Sequence, residues 1–579
     1  MSFVRLAVWC VLPIGSELHA LNAWETTSLQ DTVIRAAAGD ASRAIHIYDR
    51  RGKTAERRTH RELLDLARHR AAALARHGVE PKDRVLVALP TSWSALEAWF
   101  GALFRGAWPV MLAPGGAMGA VATQAQRIEE LCERLDAKKL VCDANFRDEL
   151  AAAGARRAAA RVVTPEELAA TSVASALPDP RPGPDEIAFL QLTSGSTGRQ
   201  RAVMIAHRGA VHNPIAIEDA VSAPHGRPAR EWNRGVVSWL PLYHDMGLVG
   251  CLLFSIAHRF DLWLLRPETF LTRPELWLEA VGRDGPNLSP APNFAYQLCA
   301  ERVASSELEG ADLSLWAASL CGAEMIRPET MSAFCKAFAP RGYGASSLRP
   351  CYGLAEGTLD VTCVRTGGVR TQPLPQGADS GFGLTEVVST GAAVRDMEVR
   401  IATPGGEPLP EGRIGQVRAK GPSIFLGYFN DPEATRESLQ DGWLCTGDLG
   451  FLHRGELYIT GRTKDLLIIH GHNFMPHELE WLAESVSGSG GTERSAAFSV
   501  ARNAEGEQAI LVMEIAERDG AALKSLEREV RLRIAREMKL PLAEVVFVRR
   551  GQIPKTTSGK VQRGELRQRY LEGKLERLG

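Results

Sequence analysis

A hydroxyl-rich loop is the segment of this 579-residue chain with the clearest chemical capability. Residues 193–201 read TSGSTGRQR and lie between two apolar runs, 186–192 and 202–206, that predict neighbouring β-strands. Two glycines let the backbone turn tightly and expose N–H groups, while hydroxyls and arginines add donors and positive charge. The loop therefore suits an anion the size of a polyphosphate. The loop is not a Walker loop, because no Gly-Lys-Ser/Thr ending closes it. The alternative interpretation is a flexible surface turn.

Four further segments place polar side chains at turns or strand ends, where packing alone does not explain them. They are 239–247 (WLPLYHDMG), 351–356 (CYGLAE), 442–448 (GWLCTGD) and 554–563 (PKTTSGKVQR). The first puts a histidine and an aspartate on a Pro/Gly turn, and the third is expected to end a strand in an acid. The last is a lysine-bearing turn near the C-terminus.

The elements that must position these segments follow from length and apolar pattern. A chain of this length, 45% apolar, is too long for one core and predicts two or more domains. Helical stretches at 59–77 and 93–105 flank an apolar strand at 84–89, and this alternation indicates a parallel sheet covered by helices. Beyond residue 462 we expect a compact α+β stretch that ends in a charged helix over 563–575. The fold class is therefore α/β.

Charge and cysteine content exclude several classes of protein. Lys and Arg number 68 against 69 Asp and Glu, so no basic excess favours nucleic acid as a partner. Ten cysteines without a C-x-x-C pair argue against zinc and a disulfide framework, and they favour a reducing, cytoplasmic compartment. No run is long and apolar enough for a membrane span. Residues 1–24 are interpreted as an N-terminal extension rather than a signal peptide.

Together, the five motifs resemble, in order, the core motifs of the adenylate-forming, acyl-activating enzyme superfamily, over about residues 25–575. The fatty acyl-AMP ligase branch is the most similar, on the strings WLPLYHDMGL (239–248), GPN and APNFAY (285–296), CYGLAE and GELYITGR (455–462). A Gly/Pro-rich excursion over 367–383 falls where that branch carries an insertion. Here 35 positions separate Glu356 from Gly391, so the insertion is shorter than is usual for the branch.

The resemblance implies a large N-terminal adenylation domain (25–461) of packed α/β subdomains and a small, mobile C-terminal α+β domain (462–579). The hinge is expected near Lys464. Such enzymes use ATP and Mg²⁺ to convert a carboxylic acid to an acyl-AMP with release of pyrophosphate. Because two anions must approach each other, the enzyme has to neutralise charge and position the reactants.

The resemblance also implies roles for individual residues. The β- and γ-phosphates are expected to be gripped by Thr193, Ser194, Gly195, Ser196, Thr197 and Gly198, with Arg201 where the family usually has lysine. Tyr352 and Gly353 are expected at the adenine, Asp448 at the ribose, and Arg462 at the ribose or phosphate. Glu356 is the expected Mg²⁺ ligand. Lys560 is expected to reach the α-phosphate and substrate carboxylate, and His244 to line the carboxylate's approach.

Each assignment has a plainer structural alternative. Tyr352 could be a core aromatic, Glu356 an exposed loop acid, and Asp448 a turn cap. Lys560 could be a solvated surface lysine, and His244 a buried structural histidine.

The acid to be activated is expected to be a fatty acid. Trp239, Phe294, Tyr296 and Trp316 either line a hydrocarbon tunnel or belong to the core. The leading hypothesis is transfer to the pantetheine thiol of an acyl carrier protein. An acyl-CoA synthetase and a catalytically silent nucleotide- or acyl-binding homologue are the alternatives. Arginines near the C-terminus either meet an acidic carrier helix or form a solvated face: Arg549, Arg550, Arg563, Arg567 and Arg569.

Overall fold

The structure, a computed structural model, describes residues 25–115, 121–172, 177–193, 200–226, 231–232, 234–375, 386–469, 472–486, 494–501, 507–516, 519–555 and 560–578. The predicted phosphate-gripping residues Ser194, Gly195, Ser196, Thr197 and Gly198 lie outside these ranges, as does the N-terminal extension.

Several helices begin at a residue whose side chain caps the first turn. The helices are α1 (Leu29–Ala37), α2 (His60–Arg76), α3 (Trp93–Phe104), α4 (Val121–Arg134), α5 (Ala144–Ala152), α6 (Arg156–Arg161), α7 (Pro165–Ala170), α8 (His207–Ser222), α9 (Asp245–Gly247), α10 (Phe254–His258), α11 (Pro267–Thr272), α12 (Glu275–Asp284), α13 (Asn293–Arg302), α14 (Pro328–Phe338), α15 (Pro432–Ser438), α16 (Pro476–Val486), α17 (Gly520–Met538) and α18 (Arg563–Leu571). At α1, α2 and α7 a Ser or Thr caps the first turn, and the acid three residues later bonds back. The helices predicted over 59–77 and 93–105 are confirmed as α2 and α3.

The strands are mostly short and apolar. They are β1 (Ala44–Tyr48), β2 (Thr54–Thr59), β3 (Arg84–Val87), β4 (Trp108–Met111), β5 (Ala137–Val141), β6 (Val162–Val163), β7 (Ile187–Leu192), β8 (Ala202–Ala206), β9 (Gly235–Ser238), β10 (Asp261–Leu264), β11 (Leu288–Pro292), β12 (Ala318–Gly322), β13 (Leu348–Gly353), β14 (Asp360–Cys363), β15 (Thr371–Gln372), β16 (Val387–Val388), β17 (Ala392–Ala393), β18 (Glu398–Ala402), β19 (Gly415–Lys420), β20 (Leu439–Gln440), β21 (Trp443–His453), β22 (Glu456–Arg462), β23 (Leu467–Ile469), β24 (His472–Phe474), β25 (Arg494–Ala501), β26 (Glu507–Glu514) and β27 (Leu542–Val548).

The largest sheet has the order β17-β14-β13-β12-β11-β9-β10-β1-β2 within the described residues. Its inner strands from β13 to β1 are parallel, and β2, β14 and β17 join antiparallel at the edges. Because parallel strands end at the same edge, the chain following β9, β11, β12 and β13 gathers there. Two of the chemically distinctive segments, 239–247 and 351–356, are brought together in this way.

A second sheet, β6-β5-β3-β4-β7-β8, packs against the first and is parallel except for β8. Val85 and Val87 of β3 face the core shared by both sheets, whereas Leu86 faces a second core under α4, α5 and α6. The predicted strands on either side of the hydroxyl-rich loop are confirmed as β7 and β8. The loop is held at its base, where Thr193 N donates to Arg201 O at 2.9 Å.

A third sheet contains β18, β19, β20, β21 and β22. The prediction that Asp448 ends a strand is wrong, because β21 continues from Trp443 to His453. Gly447 has a positive φ of 76°, typical of a turn, yet the strand passes through it since Asp448 pairs opposite Arg462 of β22.

The C-terminal region has its own sheet, β25-β26-β27, with separate hydrophobic clusters on its two faces. Leu511 and Met513 of β26 face α16 and α17, while Ile510 and Val512 face α18. Helix α18 ends at Leu571 rather than at residue 575, because Gly573 turns the chain at a φ of 66°.

The molecule is therefore α/β, with a large N-terminal portion of packed α/β layers and a small C-terminal α+β domain. Among the described residues, no helix combines the length and apolar character needed to cross a bilayer.

Candidate active site

Asp448 binds two other residues expected at the nucleotide, Tyr352 and Arg462. Its Oδ2 accepts a hydrogen bond from the Tyr352 hydroxyl at 2.6 Å, and its Oδ1 accepts from Arg462 Nε at 2.8 Å. The carboxylate raises the pKa of Arg462 above its usual value. Burial, and then Asp448, raise the pKa of Tyr352 well above its ordinary range, so the hydroxyl remains a donor.

Gly353 permits the sharp turn that presents Glu356. A Cβ at this position would lie 1.9 Å from the Leu359 carbonyl oxygen, so the chain can fold back here only around a glycine. Leu354 N closes the turn by donating to the same oxygen at 2.9 Å. Glu356 follows in a short 3₁₀ turn, and its Oε1 accepts from the Tyr428 hydroxyl at 2.7 Å.

Arg201 lies beside the same tyrosine. Its guanidinium carbon is 5.0 Å from the centre of the Tyr428 ring, and its Nε is 3.8 Å from Asp431 Oδ2. Burial, followed by the charge of Glu356, raises the pKa of Tyr428, which therefore stays protonated. The cation that replaces the family's lysine is thus held against the residue that orients Glu356.

His244 stands on the turn after β9. Its Nδ1 is 2.7 Å from Asp245 Oδ1, and Gln191 Nε2 fixes the turn by donating to Tyr243 O at 2.8 Å. Burial acts to raise the pKa of Asp245, but His244, and then Lys560, hold it below its ordinary value. Asp245 is therefore an ionised, buried carboxylate beside the predicted catalytic histidine.

Lys560 approaches this group from the C-terminal domain. Its pKa is lowered by burial and then by Arg462, while Asp245 and Asp448 favour its charged form. A second lysine of the same turn, Lys555, has a pKa lowered to about 8, chiefly by burial. Lys464, the predicted hinge residue, lies in the 3₁₀ turn that directly follows Arg462.

Two adjoining cavities contain these side chains. The smaller, of about 610 Å³, is lined by Thr193, Arg201, Glu356 and Lys464; the larger, of about 790 Å³, is lined by Tyr352 and Asp448. His244, Gly353, Arg462 and Lys560 line both cavities. All predicted site residues within the described ranges therefore lie around one continuous space.

The smaller cavity is also lined by buried leucines and by a buried acid. Leu288, Leu320 and Leu359 form part of its wall, together with Asp360 and Cys351. Burial raises the pKa of Asp360 to about 8 and raises that of the Cys351 thiol well above its ordinary range. Both groups are consequently protonated at neutral pH.

The four aromatic residues weighed as tunnel walls separate into two groups. Trp239 and Phe294 line the larger cavity. Tyr296 and Trp316 are fully buried in an aromatic cluster with Trp277 and Phe334, and Tyr296 donates its hydroxyl to Leu320 O. Tyr296 and Trp316 therefore follow the core alternative, which sequence alone cannot distinguish from a cavity wall.

Arg563 is not available to a carrier protein as the sequence interpretation suggested. Its Nε and Nη2 donate to the two oxygens of Glu480 at 2.9 and 2.6 Å, and Asp465 lies 3.3 Å from Nη1. Arg569 is paired with Glu565 one turn earlier in α18. The buried acid on α16 explains why Arg563 faces inward.

Four residues of the site were not singled out by sequence reasoning: Asp245, Asp360, Tyr428 and Lys555. Asp245 and Lys555 belong to segments already recognised as distinctive, so a closer reading could have found them. Tyr428 meets Glu356 across 72 residues of chain, a separation that no local pattern reveals. Asp360 lies between Leu359 and Val361, and an acid between two apolar residues is the one available signal.

The residues present fit ATP and Mg²⁺. Among the described residues, no three His, Cys, Asp or Glu side chains form a metal cage. Mg²⁺ in nucleotide sites commonly takes one or two carboxylates and completes its shell with phosphate and water oxygens, so a lone Glu356 facing the cavity suffices. Arg201, Lys464, Arg462 and Lys560 provide cations around the same space, as a polyphosphate requires.

The model of the AMP-binding enzyme family matches residues 34–429. The chain belongs to this family. A Caulobacter vibrioides protein, described provisionally as an acyl-CoA synthetase, is 32% identical over 560 residues, or 93% of this chain and 94% of that protein. The medium-chain-fatty-acid–[acyl-carrier-protein] ligase JamA of Moorena producens is 29% identical over 90% of both chains.

Solved structures show the same relationship. A structure from a study of fatty acyl-adenylate ligases of E. coli and L. pneumophila superposes with a TM-score of 0.85 at 31% identity. The match covers 95% of this chain and 98% of that one, so it includes the C-terminal domain. Resemblance to the adenylate-forming enzymes and their fatty acyl-AMP ligase branch is thus confirmed.

Proposed function

We propose that the protein activates a fatty acid as an acyl-AMP at the expense of ATP and passes the acyl group to the thiol of an acyl carrier protein. The observation that carries the proposal is the junction of the two cavities at His244, Gly353, Arg462 and Lys560. A catalytically silent homologue would not need two cations, Arg462 and Lys560, at this junction.

Adenylation joins two anions. A carboxylate oxygen of the acid forms a bond to the α-phosphorus of ATP, and the bond to the β-phosphate oxygen breaks to release pyrophosphate. Lys560 neutralises charge that builds on the α-phosphate and the carboxylate in the transition state. His244, held by Asp245, borders the path of the carboxylate. The residues act by positioning and charge compensation, with no proton transfer required.

Residues on either side of the junction would hold the nucleotide. Tyr352 would stack on the adenine and Asp448 would accept hydrogen bonds from the ribose, using lone pairs left beside its bonds to Tyr352 and Arg462. Thr193, with the rest of its loop, and Arg201 would hold the β- and γ-phosphates. Mg²⁺ bound by Glu356 and phosphate oxygens would offset further negative charge.

The smaller cavity would take the acyl chain. Leu288, Leu320 and Leu359 line the same cavity as Lys560, so an acid whose carboxylate lies beside Lys560 can place its tail against them. Trp239 and Phe294 in the larger cavity remain the alternative wall from the sequence analysis.

Acid-dependent ATP–pyrophosphate exchange with a panel of fatty acids tests the adenylation step. We expect exchange only when a fatty acid, ATP and Mg²⁺ are all present. Exchange without added acid, or none with any acid over a broad range of chain lengths, would contradict the proposal.

Two features favour a carrier protein as the acceptor. JamA, a relative over most of the chain, is named as a ligase acting on an acyl carrier protein. The excursion after Glu356 returns through β16, whose Val388 lines the larger cavity together with Trp481 of the C-terminal domain. Both domains thus border one cavity, and a restraint on rotation about a hinge near Lys464 would leave the acyl-AMP in place until a carrier docks.

The name of the Caulobacter relative favours CoA as the second candidate acceptor. Incubation with free CoA is expected to leave acyl-AMP, whereas holo carrier protein is expected to be acylated with release of AMP. Deleting residues 366–384 should raise the CoA reaction, because it removes β15 and the Arg370–Glu456 ion pair that anchors the excursion. Rapid acyl-CoA synthesis by the intact chain would establish CoA instead.

We further propose that residues 25–461 and 462–579 form the two domains that rotate against each other. A cytoplasmic location is also proposed, because the nine cysteines in the described ranges are free thiols.

A further inference from the structure

The carboxyl group of Asp360 has unused bonding capacity in a cavity wall that also contains Leu288, Leu320 and Leu359. The residue is 3% exposed, and its Oδ2 has no hydrogen-bond partner among the described residues. The neighbouring Cys351 thiol is only a weak donor. A buried oxygen without a hydrogen-bond partner destabilises the protein. Because no described residue supplies this partner, we expect a bound molecule to supply it.

The backbone of Asp360 is fixed, which gives the side chain a defined place. Asn213 Oδ1 accepts from Asp360 N at 3.1 Å, while Asn213 Nδ2 donates to Asp360 O at 2.9 Å. In the pairing of β13 with β14, Asp360 lies opposite Gly353 at the junction of the cavities. The carboxyl group is thus held in the wall of the acyl region, close to where the reacting carboxylate would lie.

We propose that Asp360 selects acyl substrates that carry a hydroxyl group near their carboxylate, an inference that rests on the proposed function. A plain hydrocarbon chain would displace water from Asp360 and leave its carboxyl oxygen unpaired. A hydroxyl can both donate to this group and accept from it.

The protonation state of the site favours a hydroxyl over an ammonium group. Burial raises the pKa of Asp360 to about 8, and the ionised Asp245 adds to the effect. The neutral carboxyl can bind a hydroxyl without losing its proton. To pair with an ammonium group, Asp360 would have to ionise. Two ionised carboxylates, Asp360 and Asp245, would then lie close together in a buried site, which is unfavourable.

Pyrophosphate exchange with four matched acids tests the inference: dodecanoate, 3-hydroxydodecanoate, 12-hydroxydodecanoate and 3-aminododecanoate. The intact chain is expected to show a kcat/KM for the 3-hydroxy acid about tenfold or more above that for dodecanoate. The 12-hydroxy acid, whose hydroxyl is remote from Asp360, should gain nothing. These ratios are measured on the unmodified protein and need no variant.

Two substitutions connect the preference to the side chain. Asp360→Val fits a β-strand and should abolish the 3-hydroxy preference, so that the 3-hydroxy acid and dodecanoate are used with similar kcat/KM. Asp360→Asn preserves the shape and hydrogen bonding and should keep part of the preference. Asp148→Val, at an exposed position of α5, is the matched control and should leave all ratios unchanged.

The exchange assay distinguishes a failure of this inference from a failure of the proposed function. Activation of dodecanoate without a 3-hydroxy preference would overturn the selectivity and leave adenylation standing. A preference for the 3-amino acid, or an equal fall with every acid in a folded Asp360→Val protein, would also overturn it. Absence of exchange with all acids would instead contradict the proposed function.

Discussion

The buried carboxyl of Asp360 makes a prediction about stability that does not depend on any substrate. Its folded pKa of about 8 lies above its usual 3.8, so the folded protein keeps a proton that the unfolded chain releases. The free energy of unfolding should therefore fall as pH rises from about 4 to about 8. Asp360→Asn removes this titration, because the amide is neutral throughout.

The size of the effect follows from the two pKa values. The raised pKa of Asp360 lowers the free energy of unfolding by at most about 2 kcal/mol near pH 5.5 and about 5 kcal/mol near pH 8.5. Relative to the parent protein, Asp360→Asn should therefore gain about 3 kcal/mol of stability between these two conditions. All other groups titrate in both proteins, so their contributions cancel when the free energy of unfolding of one protein is subtracted from that of the other.

Thermal unfolding followed by circular dichroism at several pH values measures this difference. The midpoint of Asp360→Asn should rise relative to the parent as pH increases, whereas the exposed control Asp148→Asn should follow the parent throughout. A parent–variant difference that stays constant across this pH range would refute the argument. It would mean that Asp360 is ionised or solvated in the folded protein.

Three further predictions concern the proposed reaction. Lys560→Ala should lower acid-dependent pyrophosphate exchange about a hundredfold or more without changing the unfolding midpoint, because the transition state loses its cation. Arg201→Lys should keep or improve ATP use in steady-state kinetics, since charge near the phosphates is retained. Tyr428→Phe removes the hydrogen bond that orients Glu356 and should raise the half-saturating Mg²⁺ concentration about tenfold.

Each of these has a result that would count against it. Near-normal exchange in folded Lys560→Ala would remove Lys560 from the reaction, and Lys574→Ala, at an exposed site, controls for a general loss of charge. Inactivity of Arg201→Lys would point to a bidentate role that lysine cannot fill. An unchanged Mg²⁺ requirement in Tyr428→Phe would mean that Glu356 needs no orienting partner.

Local pattern was enough to predict the elements that carry the site. The apolar runs around the hydroxyl-rich loop are β7 and β8, and the helical stretch predicted at 59–77 is α2. The position of Asp448 within β21 could not be read locally, because Gly447 has the conformation of a turn residue while pairing with β22 keeps the strand intact. Long-range pairing decided that case.

The residues of the site could be predicted from the sequence more readily than the side chains that contact them. Glu356 and Arg201 were both singled out, but the tyrosine that joins them comes from a distant segment. Likewise, Trp316 and Trp239 have the same residue type and differ only in what the fold places beside them. Residue type predicts chemistry, whereas burial and neighbours depend on the completed fold.

The thiol of Cys351 is kept unreactive beside the proposed acyl-AMP site. An acyl-AMP is a mixed anhydride that reacts with thiolates, and this cysteine lies in the walls of both cavities. Burial, and then the nearby Asp360, raise the pKa of its thiol so far that almost no thiolate forms. The enzyme can therefore store an activated acyl group beside its own sulfur without acylating itself, leaving the intermediate for an incoming thiol.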